Sequence, residues 1–296
     1  METFHTGRLF YFILNYLRDI GQSKYIYRMV VKYIVYLRVS AIILLAITIM
    51  SIYGKERKKF MIKTVLKYPN GLIFLAAVAC WVLLSSLYLF SPPVNYERLT
   101  TEKVIALTVD DGPDPKFSPQ AVEILKKHGA KATFFVVGSQ VERYPQVLEM
   151  EINAGNEIGN HSYSHKKLSQ LNRKQMDQEI KRTNGIIFKN TGHHVIWFRP
   201  PYGQYNMWVV EDARDEGMST VMWTSVVECK RLHDPVKMAQ KVINEARPGG
   251  IILFHDSRLD RTNTIKALPM IIEGLKKKGY RFVTLSELFE SEGKTV

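Results

Sequence analysis

Cysteine is nearly absent from this 296-residue chain. The two that occur, Cys80 and Cys229, fall in different parts of it, so no disulfide can form within the region beyond Glu97. That region must be held by its core, and at roughly 200 residues it is large enough. Cys229 reads as a small core residue rather than a reactive thiol. Acidic residues are scarce at the N-terminal end. Met1–Tyr96 carries twelve Lys/Arg against three Asp/Glu, a net of +9, whereas Glu97–Val296 carries 29 against 25, a net of +4. The excess therefore sits beside apolar segments. This argues against a nucleic-acid binder, which would carry it on the folded domain, and points to a membrane surface. Internal repeats and low-complexity segments are also absent.

Gly71–Phe90 has no charge over twenty residues. As a helix it would extend about 30 Å, enough to cross a bilayer core. Ser91-Pro92-Pro93 ends it, and no A-x-A site follows to mark it as a cleaved signal peptide. Val39–Tyr53 is shorter, at fifteen residues. It is compatible with a second span, an interfacial helix, or a stretch preceding a start at Met61. The basic stretch Gly54–Pro69, with Lys55, Arg57, Lys58, Lys59, Lys63 and Lys67, is expected to stay cytoplasmic. The domain beyond Phe90 is then expected outside. A span at Val39–Tyr53 would place the basic Met1–Arg38 outside, against the same rule. The expected organisation is a basic, apolar-rich region 1–70, an anchor 71–90, a linker 91–102, a catalytic domain 103–290 and a tail 291–296.

Four polar clusters stand where apolar, strand-like runs end. The first is V-I-A-L-T-V-D-D-G-P, in which Asp110 and Asp111 are adjacent. Neighbours on a strand face opposite ways, so both carboxylates can serve one site only if the backbone bends there, as Gly112 and Pro113 permit. The second is N-H-S-Y-S-H: His161 and His165, four apart, reach one side from a helical turn or a tight loop. Two histidines and one carboxylate make a three-ligand metal site with an open position for water. The third is W-F-R-P-P-Y-G, where Arg199 stands at a strand tip beside a stiff loop able to aim an N–H at an oxyanion. The fourth is G-I-I-L-F-H-D-S, which ends in His255 and Asp256. Any one cluster reads as a turn or a surface histidine. Four of them, all at C-terminal strand ends, read as one active site.

In order and spacing these segments resemble the polysaccharide deacetylase family, the NodB-homology group or carbohydrate esterase family 4, over about Lys103–Phe289. The resemblance implies Asp110 as general base, Asp111, His161 and His165 as metal ligands, and Arg199 as the tether of the base. It implies His255 as general acid, the Tyr202 N–H at the oxyanion, and Pro200, Tyr202 and Leu253 at the substrate, with Leu253 in the acetyl pocket. It further implies a divalent metal, with zinc suited to the ligands and cobalt, nickel, manganese or iron able to occupy them. The reaction implied is removal of N-acetyl groups from a cell-surface glycan, peptidoglycan foremost, by a monomeric domain that needs a membrane but no nucleic acid. One motif departs from the family pattern. Members carry an Asp-Trp pair after a Trp-containing strand, where this chain reads Glu228, Cys229, Lys230. Glu228 is expected to replace the Asp that orients the acid histidine. A silent glycan-binding domain and an O-acetyl esterase remain the alternatives.

Seven strands are predicted, at Val104–Val109, Ala132–Val137, Glu157–Asn160, Val195–Phe198, Thr220–Val226, Ile251–Phe254 and Arg281–Thr284. Helices are predicted at Pro119–His128, Pro145–Ala154, Arg173–Lys189, Met207–Glu216, Pro235–Ala246 and Asn263–Lys278. Alternation of this kind gives an α/β fold with a parallel sheet and right-handed crossovers. Periodicity alone allows an open doubly wound sheet as well. The resemblance implies a distorted seven-stranded (β/α) barrel.

Overall fold

The run V-I-A-L-T-V-D forms β2 (Val104–Asp110) and is buried along its whole length, as expected of a parallel strand covered on both faces. A computed structural model describes residues 94–228 and 232–290 of the chain. The predicted membrane segments, Cys80, Cys229 and Lys230 lie outside the described residues. No helix among the described residues is long and apolar enough to cross a membrane.

The other strands are β1 (Val94–Asn95), β3 (Ala132–Val136), β4 (Glu157–Asn160), β5 (Trp197–Phe198), β6 (Ser219–Val221), β7 (Ser225–Val226), β8 (Gly250–His255) and β9 (Arg281–Val283). Every pairing is parallel, in the order β1-β6-β5-β4-β3-β2-β8-β7, with β9 against the first half of β2. The predicted strand Thr220–Val226 is in fact two, interrupted at Met222–Thr224. Although β6 and β7 are consecutive in the chain, β6 pairs with β1 and β5 while β7 pairs with β8 at the far end of the order. Only a curled sheet lets so short a connection reach both places. The fold is therefore a distorted parallel barrel rather than an open sheet.

Two further differences concern short elements. The stretch expected as a linker carries β1, and Met222 N–H donates to Asn95 O at 2.7 Å while Arg98 N–H donates to Gly249 O at 2.9 Å. Two helices were not predicted: α2 (Gly138–Arg143) and α8 (Leu285–Glu290). The remaining helices, α1 (Ser118–Lys127), α3 (Pro145–Asn153), α4 (Arg173–Thr191), α5 (Met207–Asp215), α6 (Pro235–Glu245) and α7 (Thr262–Lys277), match prediction to within about two residues. Their ends are chemically marked. Asn172 and Gln175 form a reciprocal capping box before α4, and Gly192, at φ 70°, ends it. Asp234 caps α6. The core packs β2, β3 and β8 against α1, α3, α6 and α7 through residues such as Leu107, Phe134, Ile252, Leu125, Leu148, Val242 and Leu268.

Candidate active site

The four clusters meet at one end of the barrel. Asp110 ends β2, and Asp111 takes φ 83°. This is the bend the sequence requires: it turns two consecutive carboxylates toward one point, so that Asp110 Oδ2 and Asp111 Oδ1 each lie 3.6 Å from His161 Nε2. The next peptide, Gly112–Pro113, is cis. A Cβ on Gly112 would stand 2.8 Å from Asp256 Oδ1, so only glycine lets the turn pass.

His161 and His165 follow β4 in a tight loop rather than a helix. Ser162 and His165 adopt left-handed φ values of 64° and 55°. Asn160 Oδ1 accepts the Ser162 N–H at 2.8 Å, and Ser162 Oγ accepts the His165 N–H at 3.1 Å. The two rings stand 5.0 Å apart. His161 Nδ1 lies 2.7 Å from the Arg199 carbonyl oxygen. A carbonyl can only accept, so the proton is on Nδ1 and the Nε2 lone pair faces the carboxylates. Burial first, and the neighbouring His165, bring the His161 pKa down to about 4 against the pull of Asp110 and Asp111. The ring is therefore neutral at ordinary pH and able to ligate. Burial works against the Asp111 charge, but His165, His161 and His255 outweigh it and bring that carboxyl down to about 2.

One ligand atom from each of Asp111, His161 and His165 lies within 4.8 Å of the others, and all three residues are buried. His165 Nε2 approaches Asp111 Oδ1 to 2.9 Å, and His165 Nδ1 is buried without a hydrogen-bond partner. A carboxylate oxygen and two imidazoles that converge on one point fit a divalent cation.

Arg199 is fully buried. It follows β5, and its Nη1 donates to Asp110 Oδ1 and to Thr108 Oγ1, both at 2.8 Å. Its Nη2 and Nε reach the carbonyls of Met222 and Val221 at 3.0 and 3.4 Å, and its plane lies 4.2 Å from the Phe135 ring centroid. Asp110 Oδ1 is thereby occupied, and Oδ2 is the oxygen turned to the cluster. Thr108 stands two residues before Asp110, on the same face of β2.

On β8, His255 is the register partner of Asp110, and Leu253 is the partner of Thr108. The alternation of a strand places Leu253 and His255 on one face. Glu228 lies beside His255: Oε2 lies 3.1 Å from His255 Nδ1, while Oε1 accepts the His255 N–H and the Thr264 hydroxyl, each at 2.9 Å. Burial opposes a charge on His255, but Glu228 outweighs it and raises the imidazole's pKa.

Pro200 is buried and Tyr202 is 54% exposed. Tyr202 sits at φ 61° in the short turn Pro201–Gly203, and its ring meets that of His165 edge-on at 4.6 Å. Trp223, in the break between β6 and β7, lies 5.7 Å from the Arg199 guanidinium and packs so closely on Gly203 that a Cβ there would be 2.7 Å from it. Asp256 turns away from His255, into a buried group with Ser118, whose hydroxyl donates to it. Trp223, Thr264 and Arg261 are site residues that no sequence motif marked, and Thr108, inside the first cluster, was not singled out. A cavity of about 590 Å³ lined by Tyr163, Lys166, Gln175, Gln178 and Arg182 lies beside this centre and includes none of its chemical groups.

The model of the Polysaccharide deacetylase family matches residues 97–221. The chain is 37% identical over 197 residues to a peptidoglycan-N-acetylglucosamine deacetylase of Bacillus cereus, an alignment covering 66% of this chain and 92% of that protein. It is 40% identical over 190 residues to the peptidoglycan-N-acetylmuramic acid deacetylase PdaC of Bacillus subtilis, covering 64% of this chain but only 39% of PdaC. Among solved structures, a CE4 family pseudoenzyme from Bacillus anthracis superposes with a TM-score of 0.63 at 35% identity, covering 67% of this chain and 69% of that one.

Proposed function

This chain belongs to the polysaccharide deacetylase family, and on that premise we propose that it hydrolyses the N-acetyl groups of amino sugars in peptidoglycan, outside the cytoplasm, as a membrane-anchored enzyme. The observation that carries the reading is the convergence of Asp111, His161 and His165 beside a tethered Asp110 and a carboxylate-paired His255. A divalent ion held by the three ligands, for which zinc is the best match, would polarise the acetyl carbonyl and lower the pKa of a bound water.

The protein's own groups supply the rest. Asp110 Oδ2 accepts the water's proton, while Arg199 holds Oδ1 and prevents the carboxylate from swinging. The Tyr202 N–H would meet the oxyanion. Leu253 would line the acetyl pocket, and Pro200 would meet the sugar. His255, whose protonated form Glu228 favours, gives its proton to the departing amine, because an amide nitrogen leaves poorly without one. The products are acetate and a free amine.

Location rests on the uncharged stretch Gly71–Phe90 and the basic stretch before it. The substrate rests on that location and on what the relatives above are named for. A monomeric domain is enough for this site, since one chain supplies every group in it. The pseudoenzyme among its structural neighbours makes a silent glycan-binding domain the competing reading. The pairing of Glu228 with His255 favours turnover, because a domain released from catalysis has no need of it. The test is incubation of the full chain with peptidoglycan, an N-acetylglucosamine oligomer and an O-acetylated xylan, measuring acetate and free amines. Equal acetate and amine from peptidoglycan is expected. Acetate without amine would make the protein an esterase, and binding without acetate a silent domain.

A further inference from the structure

Arg261 lies just before α7, with only 8% of its surface exposed. Its Nε donates to the Ser257 carbonyl at 2.7 Å, which pins the side chain to the loop that follows His255. Its two terminal nitrogens then diverge. Nη2 lies 3.6 Å from Asp111 Oδ2 and Nη1 lies 3.9 Å from Glu228 Oε1. These distances exceed a direct hydrogen bond, so each is an electrostatic contact at short range in a buried place. The two carboxylates do different work. Asp111 offers its other oxygen, Oδ1, to His161 and His165. Glu228 holds both the ring and the backbone of His255.

We infer that Arg261 is a positioning residue that aims both carboxylates at once. It occupies the outer oxygen of Asp111, so that this ligand presents a single oxygen to the metal cluster, and it braces Glu228 against His255. The inference rests on the metal reading of Asp111, His161 and His165. A guanidinium suits the task because its fork is planar and rigid, with separate donors pointing two ways. A lysine carries the same charge at one point and cannot face both carboxylates. Charge neutralisation alone would be satisfied by either side chain. Aiming requires the fork.

The experiment compares wild type, Arg261→Lys, Arg261→Met and His161→Ala as full chains. Cobalt(II) is the probe; its affinity is measured by chelator competition and its ligand field by visible absorption, and kcat and KM follow on an acetylated glycan. Near-UV circular dichroism checks folding, and Arg261→Lys carries the test if Arg261→Met does not fold. The expected result for both Arg261 variants is a loss of roughly 10–100-fold in cobalt affinity, the usual cost of removing a group that orients a metal ligand. The visible bands should also change, as Asp111 becomes free to coordinate through both oxygens, and kcat should fall with KM little altered. Wild-type cobalt affinity, spectrum and kcat in a folded Arg261→Lys would overturn the inference. Wild-type cobalt affinity in His161→Ala would instead overturn the metal reading beneath it.

Discussion

Glu228 grips His255 at two points: one carboxylate oxygen lies 3.1 Å from the ring Nδ1, and the other accepts the backbone N–H of the same residue at 2.9 Å. Thr264, from the first turn of α7, bonds the same oxygen as the backbone does. A carboxylate on Nδ1 fixes the tautomer, turns Nε2 toward the cavity and favours the protonated ring.

Glu228→Gln removes the charge and keeps the shape. His255 has a raised pKa in the wild type, with Glu228 as the raising partner, so the variant's pKa falls. An acid must be protonated to act, and activity is lost as pH rises through its pKa. The alkaline limb of the pH–rate profile should therefore move to lower pH, and turnover at neutral pH should fall roughly 10²-fold or more. Metal content should not change. A profile superimposable on wild type would place His255 outside the chemistry.

The adjacent carboxylates should separate cleanly. Asp110→Asn leaves Asp111, His161 and His165 in place, so metal is retained while turnover drops by roughly 10²–10⁴-fold. Asp111→Asn should weaken metal binding as well. Elemental analysis of both variants after gel filtration decides it, and equal metal loss in the two would mean that their roles are misassigned.

A third expectation concerns stability. Glu151 is fully buried, and burial together with the nearby Asp256 holds its pKa well above 4.5. Asp256 is likewise raised above 3.8, by burial first. Groups with raised folded-state pKa values give stability that is complete below the unfolded values. That stability is lost as pH climbs from those values through the folded ones. Glu151→Gln should therefore be more stable than wild type at pH 8, by roughly 1–3 kcal/mol, with the advantage disappearing near pH 4. Urea unfolding at the two pH values tests this, and an advantage that does not change with pH would contradict it.

Orientation is tested by reporter fusion. A reporter that works only outside the cytoplasm should be active after Val296 and silent within Gly54–Pro69. Activity at the inner fusion would reverse the topology drawn from the Lys/Arg distribution.

Much of the site was legible because each cluster is contiguous: a short motif carries its strand, its turn and its functional side chains together. The need for a bend between Asp110 and Asp111 followed from strand parity alone, and φ 83° at Asp111 is that bend. Helix ends were legible where caps such as Asn172 and Asp234 mark them. β1 was not, because two residues show no periodicity and its pairing partner lies 126 residues away, at Thr220 for Val94. The break at Met222–Thr224 was hidden inside a strand-like stretch, yet it separates β6 from β7. Arg261 and Thr264 reach Glu228 from a separate loop and helix, and sequence carries no sign of such a contact. Thr108 was within reach, since it shares a face with Asp110.

Whether Asp111, His161 and His165 hold one divalent ion on which amide hydrolysis depends is decided by acetate release from peptidoglycan by the full chain after chelation, during titration with zinc, for wild type and His165→Ala. The metal reading predicts no release from the chelated wild type, recovery that saturates at one equivalent of zinc, and no recovery in the variant at that level. Full acetate release by the chelated wild type, or recovery of His165→Ala at one equivalent, would contradict it.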